Sequence, residues 1–212
     1  GGDYIYVDGS TLHFSGIGIG AFTVFVAGAD DASGLKEASF SEATSTGDVV
    51  EDEAGNANYS YAYQYQIGVG SGFDGQVSIE LSDNAGNFAA TSFNVSYDNA
   101  GPSTPVDVKC DDGAEWNTTG EVKVTWSGEG DSGSGVVNYY VEAENIRPLE
   151  NPDDGSMSVT IPADDGESIE IYVRGVDNVG NWGIAGKATI SVDTKAPSNV
   201  QEVVHTDSDA NE

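Results

Sequence analysis

The chain has 212 residues, with 36 Asp and Glu against 7 Lys and Arg and a formal net charge of −29. So acidic a surface excludes a nucleic-acid backbone as partner, because phosphate binding needs a basic face. The same charge repels itself, which points to high salt, bound divalent cations or both, and the length suits two domains of common size.

Cys110 is the single cysteine, so an intrachain disulfide and a cysteine-based zinc site are both excluded, and a small buried or half-buried residue is expected there. His13 and His205 are the only histidines and lie far apart in sequence. No run approaches the roughly 20 apolar residues of a membrane span. No signal peptide opens the chain, which reads as a mature segment cut from something longer.

Short alternating runs dominate in chain order and no helical periodicity persists, which predicts antiparallel strands and tight turns. Strands are expected at Tyr4–Val7 and Phe22–Val26, followed by a loop at Asp30–Gly34. The Gly16-Ile17-Gly18-Ile19-Gly20 run lacks the helix that a phosphate loop feeds, so no nucleotide site is read there. Tyr59–Ile67 predicts a long strand with Tyr59, Tyr61, Tyr63 and Tyr65 packed on one core-facing side. Val77–Leu81 leads through an Asp83–Asn87 turn into Thr91–Tyr97. Asn and Asp tolerate left-handed backbone and bond their own main chain, and Gly supplies positive φ, so Asp-Asn-Ala-Gly-Asn is a turn by chemistry.

The pattern then repeats. Ile171-Tyr172-Val173-Arg174-Gly175-Val176-Asp177-Asn178-Val179-Gly180-Asn181-Trp182 follows the Val77–Phe88 stretch, with Asp177 standing 94 positions after Asp83. Val122–Trp126 matches Phe22–Val26 at an offset of 100, and Ala188–Asp193 matches Phe93–Asp98 at 95. Asp31 is placed on Asp131, with one residue inserted before Ser134-Gly135-Val136. A period near 95–100 residues is the size of an immunoglobulin-type sandwich. Asp98-Asn99-Ala100-Gly101-Pro102 and Asp193-Thr194-Lys195-Ala196-Pro197 read as linkers, and Ser198–Val203 imitates Ser103–Val108. The expectation is an all-β chain of two tandem immunoglobulin-like antiparallel β-sandwich domains, 1–100 and 101–197, with 198–212 as the first strand of a third.

These stretches, with Tyr4–Leu12, Asp31–Leu35, Trp116–Gly120 and the Asp…Ala-Pro linkers, resemble immunoglobulin-like and fibronectin-III-like repeats of archaeal surface-layer-type proteins and bacterial adhesins. The resemblance implies an extracellular, cell-surface location, tandem arrays and often bound calcium. The missing cysteine pair sets the chain apart from antibody-like relatives.

One constellation carries chemistry. In such a sandwich the loop after the second strand and the turn between the last two strands share a pole. That places Asp31 near Asp83 and Asn87, and Asp131 near Asp177 and Asn181, with Asp98 entering the second group from the linker. Calcium takes six to eight oxygens in a forgiving geometry, and clustered carboxylates without a cation repel. These seven residues are the candidate metal ligands; as turn formers alone they would need no ion. Asn58, Asn94 and Asn117 head acceptor sequons for N-linked glycan, with Asn94 expected to face outward between Phe93 and Val95.

Catalysis has little to stand on, since two remote histidines make no triad, and the chain is not expected to be an enzyme. The function expected is a structural cell-surface component, of a surface layer or filament, that self-associates with neighbouring copies. The alternatives are an adhesin or carbohydrate-binding stalk, marked by an exposed aromatic patch, and a non-catalytic appendage of a secreted enzyme.

Overall fold

A computed structural model describes residues 4–18, 20–41, 48–51, 58–67, 72–144, 146–151 and 156–199. Sixteen strands carry the described fold. Eight belong to the first half: β1 (Ile5–Asp8), β2 (Thr11–Phe14), β3 (Gly20–Ala29), β4 (Leu35–Phe40), β5 (Asp48–Glu51), β6 (Asn58–Ile67), β7 (Gly75–Asp83) and β8 (Phe88–Tyr97). They form a six-stranded sheet ordered β1-β2-β8-β7-β4-β5 and a two-stranded sheet β3-β6. The second half holds β9 (Val106–Cys110), β10 (Trp116–Asn117), β11 (Glu121–Ser127), β12 (Val136–Ala143), β13 (Ile146–Glu150), β14 (Ser158–Pro162), β15 (Ser168–Asp177) and β16 (Gly186–Val192). Its sheets are β10-β16-β15-β12-β13 and β14-β11-β9. Among the described residues neither half lends a strand to a sheet of the other, so they form two tandem immunoglobulin/fibronectin-III-like sandwiches, called here modules one and two.

Alternation makes each sandwich. Val77 and Ile79 of β7 point inward with Phe14, Phe40, Tyr61 and Tyr65, and close the first core. Tyr63 packs against the same cluster, so Tyr61, Tyr63 and Tyr65 of β6 are core, as their period of two requires, while the side chain of Tyr59 lies outside the described residues. Tyr65 stacks on Phe22 with centroids 4.9 Å apart and donates its hydroxyl to the Ser41 carbonyl at 2.9 Å. The second core is built from Val122, Val124, Val141, Ile161, Ile171, Val173 and Ile190, all at most 1% exposed. Cys110 joins it at 3% exposure, and burial pushes its thiol up to about 11.

In both modules a short strand runs parallel to the last one, β2 on β8 and β10 on β16, while the other pairings are antiparallel. The loop before β4 corrects the sequence alignment. Asp30, and not Asp31, folds its carboxylate back over the loop, where Oδ1 accepts from the amides of Ser33 and Gly34 at 2.7 and 2.8 Å. Asp131 does the same for Gly133 and Gly135, both at 2.9 Å. Asp30 is thus the counterpart of Asp131, at an offset of 101, so the inserted residue falls before Asp131 and not after it, and Asp31 is exposed beside Asp30.

Candidate metal centre

The site is assembled from both modules. β8 ends one residue before Asp98, whose amide donates to the Phe14 carbonyl at 2.8 Å and so is fixed to the end of β2. Asp131 sits in the loop between β11 and β12, and Asp177 ends β15. One carboxylate oxygen from each of the three lies within 4.8 Å of the other two. Asp98 and Asp177 are 4% and 1% exposed, and Asp131 is half-buried. Among the described residues this is the one group of three such side chains placed to share an ion.

Hydrogen bonds hold the three in place. Asp98 Oδ2 accepts from the Ser134 amide at 2.7 Å, a bond between modules. Asp177 Oδ1 accepts from the amides of Val179 and Asn181, and its Oδ2 from Asn181 Nδ2 at 2.7 Å. Asn181 Nδ2 also reaches the Asp98 carbonyl at 2.9 Å, so this side chain ties the turn of module two to the end of module one. Ser15 Oγ adds a third tie, to the Val179 carbonyl at 3.1 Å. The close approach needs glycine at 133, since a Cβ there would collide with the Asp98 carboxylate.

The donor set suits a hard cation. Three carboxylates offer six oxygens, and Asp131 Oδ1 accepts no hydrogen bond among the described residues. The Ser134 hydroxyl is buried without a hydrogen-bond partner, on the residue whose amide holds Asp98. Calcium prefers such carboxylate and neutral oxygens. The electrostatics also favour a cation: burial pushes the Asp177 carboxyl above its ordinary value, the hydrogen bonds from Asn181 oppose this, and the Asp98 charge adds to it.

The equivalent pole of module one supplies a control. Asp83 holds Ala85, Asn87 and the Asn87 side chain just as Asp177 holds Val179 and Asn181. Ala85 and Asn87 are exposed, whereas Val179 and Asn181 are 0% and 4% exposed under module one. There the hydrogen bonds from Asn87 win, and the Asp83 carboxyl lies below its ordinary value. Among the described residues Asp31 and Asp83 belong to no group of three Asp, Glu, His or Cys side chains close enough to share an ion, so the two poles are not equal.

The sequons divide. Asn94 is exposed on β8. Asn117 is 4% exposed, and its amide nitrogen donates to Asp111 Oδ2 at 2.7 Å and to the Glu121 carbonyl at 2.9 Å, so the folded module keeps it engaged. Asn58 opens β6, and its side chain lies outside the described residues, as does His205. A feature that sequence reasoning missed is an aromatic pair on the outer face of module two. Trp182, 49% exposed, lies 4.9 Å from Tyr140 between ring centroids, with the Arg174 guanidinium 5.9 Å above its ring. Trp182 was visible in sequence only as the residue after a turn, and Tyr140 as half of a Tyr-Tyr step.

No helix among the described residues is long and apolar enough to cross a membrane. No family model matches the sequence, and no curated protein is significantly similar to it. Solved structures similar to it include arrays of fibronectin-III domains. The FN1–FN3 domains of chicken CNTN1 share 14% identity over 75% of this chain, with a TM-score of 0.40, and this chain spans about half, 54%, of their length. The fibronectin(III)-like modules of Clostridium thermocellum CbhA share 12% over 90% of this chain and 94% of theirs, with a TM-score of 0.40. The central fibronectin-III array of RIM-binding protein shares 12% over 84% of this chain and 66% of its own, with a TM-score of 0.33.

Proposed function

We propose that this chain is a non-catalytic structural segment of an extracellular cell-surface array, a surface layer or filament, whose module joint is stiffened by a bound calcium ion. The observation that carries the reading is the convergence of Asp98, Asp131 and Asp177 from two modules on one point. A cation there would neutralise three carboxylates that otherwise repel, and would bond both modules at once. The joint would then act as a spacer of fixed angle, which is what a load-bearing or lattice-forming array requires.

Thermal unfolding tests it. An ion that binds only the native state at 100 times its Kd adds about 2.7 kcal/mol. Calcium should raise the midpoint, EDTA should reverse the rise, and Asp131→Asn should abolish it. A rise with matched NaCl alone would assign the effect to screening of the −29 charge and sink the calcium reading.

The Trp182–Tyr140 pair supports a second reading, a carbohydrate-binding adhesin or stalk. Exposed aromatic faces flanked by Arg174 and Glu142, themselves paired at 3.2 Å, suit sugar stacking and hydroxyl recognition. Glycan-array binding that Trp182→Ala removes would favour it; no binding would leave the structural reading alone.

A further inference from the structure

The Trp182–Tyr140 pair is one end of a longer row. On β15 the residues that point away from the core are Ser168, Glu170, Tyr172 and Arg174, since Ile169, Ile171 and Val173 point into it. The ladder sets Tyr140 beside Arg174, Lys187 beside Tyr172, and Ser191 beside Ser168. Ser191 in turn pairs with Trp116 of β10, which is 58% exposed. At the other end Trp182 bridges to Val176. Trp182, Tyr140, Tyr172 and Trp116 thus lie along one outer face. From Val176 to Ser168 the row runs about 26 Å at a strand's rise per residue.

The fold does not require these rings. The register of module one places Ser39, Glu80, Ser78 and Ser92 where module two has Tyr140, Arg174, Tyr172 and Lys187. Charge on the face is balanced within it. Arg174 pairs with Glu142 and Lys187 with Glu170, both at 3.2 Å. Each cation also lies over a ring, Arg174 over Trp182 at 5.9 Å and Lys187 over Tyr172 at 4.8 Å. Tyr172 donates its hydroxyl to Glu170 Oε2 at 2.6 Å. Between Tyr172 and Trp116 the face is hollowed. A depression of about 430 Å³ lies against Tyr172 and Glu170, and one of about 260 Å³ lies against Trp116 and Ser191. Glu167 and Ser168 line both, so the two are continuous.

We propose that this face binds an extended, neutral polysaccharide, with the Trp182–Tyr140 pair, Tyr172 and Trp116 as three successive stacking stations. The proposal rests on the second, carbohydrate-binding reading and extends it from one aromatic pair to a site that follows a glycan chain. A pyranose ring offers a C–H face that an aromatic ring covers, and hydroxyls at its rim that polar side chains meet. Glu170, Glu167 and Ser168 stand between the rings to meet those hydroxyls. The ion pairs hold rings and acceptors in place before a ligand arrives, which lowers the ordering cost of binding. Asp165, Glu167 and Asp193 around Trp116, within a chain of net charge −29, repel an acidic glycan and so select a neutral one. A protein partner suits the face less well, because interface cores are depleted of charged residues and here every ring stands beside one.

Binding of the full chain to cellulose, chitin and mannan tests this, with polygalacturonate as the acidic probe. The chain should bind at least one neutral polymer and not polygalacturonate. Trp182→Ala, Tyr172→Ala and Trp116→Ala should each weaken that binding by about threefold to tenfold. A second readout needs no substitution. In NMR the indole N–H signals of Trp116 and Trp182 should both move when oligosaccharides of the bound polymer are added, while that of Trp126, 5% exposed in the core, stays. Binding that depends on Trp182 but is indifferent to Tyr172→Ala and Trp116→Ala, with the Trp116 signal unmoved, would overturn the extended site and leave the local pair standing. Equal binding of polygalacturonate would overturn the neutral class. No binding to any of the three neutral polymers would sink both this proposal and the reading beneath it. If the chain then self-associates and Trp116→Ala weakens that association, the face is a protein contact instead.

Discussion

Asp83 and Asp177 end equivalent strands, hold equivalent amides and are shifted in opposite directions. What separates them is burial, since one turn is open to solvent and the other lies under a neighbouring module. Side-chain environment, and not side-chain type, thus separates the two acidic turns. Cys110 follows the same rule. Buried in the second core with its thiol raised to about 11, it should resist maleimide at pH 7 in the native chain and react on denaturation, as mass spectrometry would show. Fast native labelling would contradict its placement. Asp165 makes the opposite case. The Lys195 ammonium, then Thr194, hold its carboxyl down to about 2. A carboxylate lowered on folding stabilises above its unfolded value near 3.9 and loses that contribution as pH falls toward about 2. Asp165→Asn should flatten the acid limb of stability against pH between about 4 and 2, and an unchanged limb would contradict the Lys195 tie. Asp98, Asp131 and Asp177 were legible as a group because repeat offset and pole geometry act on residue positions alone. The choice of Asp31 over Asp30 was not forced by composition, since two adjacent aspartates look alike. The alternation of β3 decides it, placing Asp30 in phase with Phe22, Val24 and Val26 and leaving Asp31 outside.

At the scale of elements, the alternating strands and the Asp-Asn-x-Gly-Asn turns were readable because each rests on local chemistry. Gly86 and Gly180 take φ of 89° and 87°, as the turn requires. Sheet membership was not readable. A period of two says which face is inward but not which strand lies alongside, so nothing in Tyr4–Val7 announced that β1 would lie beside β2 and leave β3 paired with β6 alone among the described residues. Two substitutions separate core from joint. Ile171→Ala, at a fully buried position, should cost about 2–5 kcal/mol in chemical denaturation. Gly133→Ala touches no core residue but drives a methyl group into the Asp98 carboxylate. It should leave each module folded while releasing their fixed orientation, seen as independent tumbling of the modules in NMR relaxation. Retained common tumbling would contradict the close packing at the joint.

For the whole molecule, a charge of −29 must be reconciled with two modules packed end to end. The joint does this locally: backbone amides and Asn181 satisfy carboxylates that come from both sides. The proposed calcium ion would supply the positive charge that the few lysines and arginines do not. Length, acidity and repeats suggested a surface array, and the structure adds a joint at which three carboxylates from two modules converge. The direct test is isothermal calorimetry of calcium into the EDTA-stripped chain, repeated on Asp98→Asn. The account predicts one site that the substitution weakens by at least tenfold, a loss of about 1.4 kcal/mol or more. Absence of binding, or a site indifferent to Asp98→Asn, would contradict a calcium-held joint and leave hydrogen bonds alone to hold the modules together.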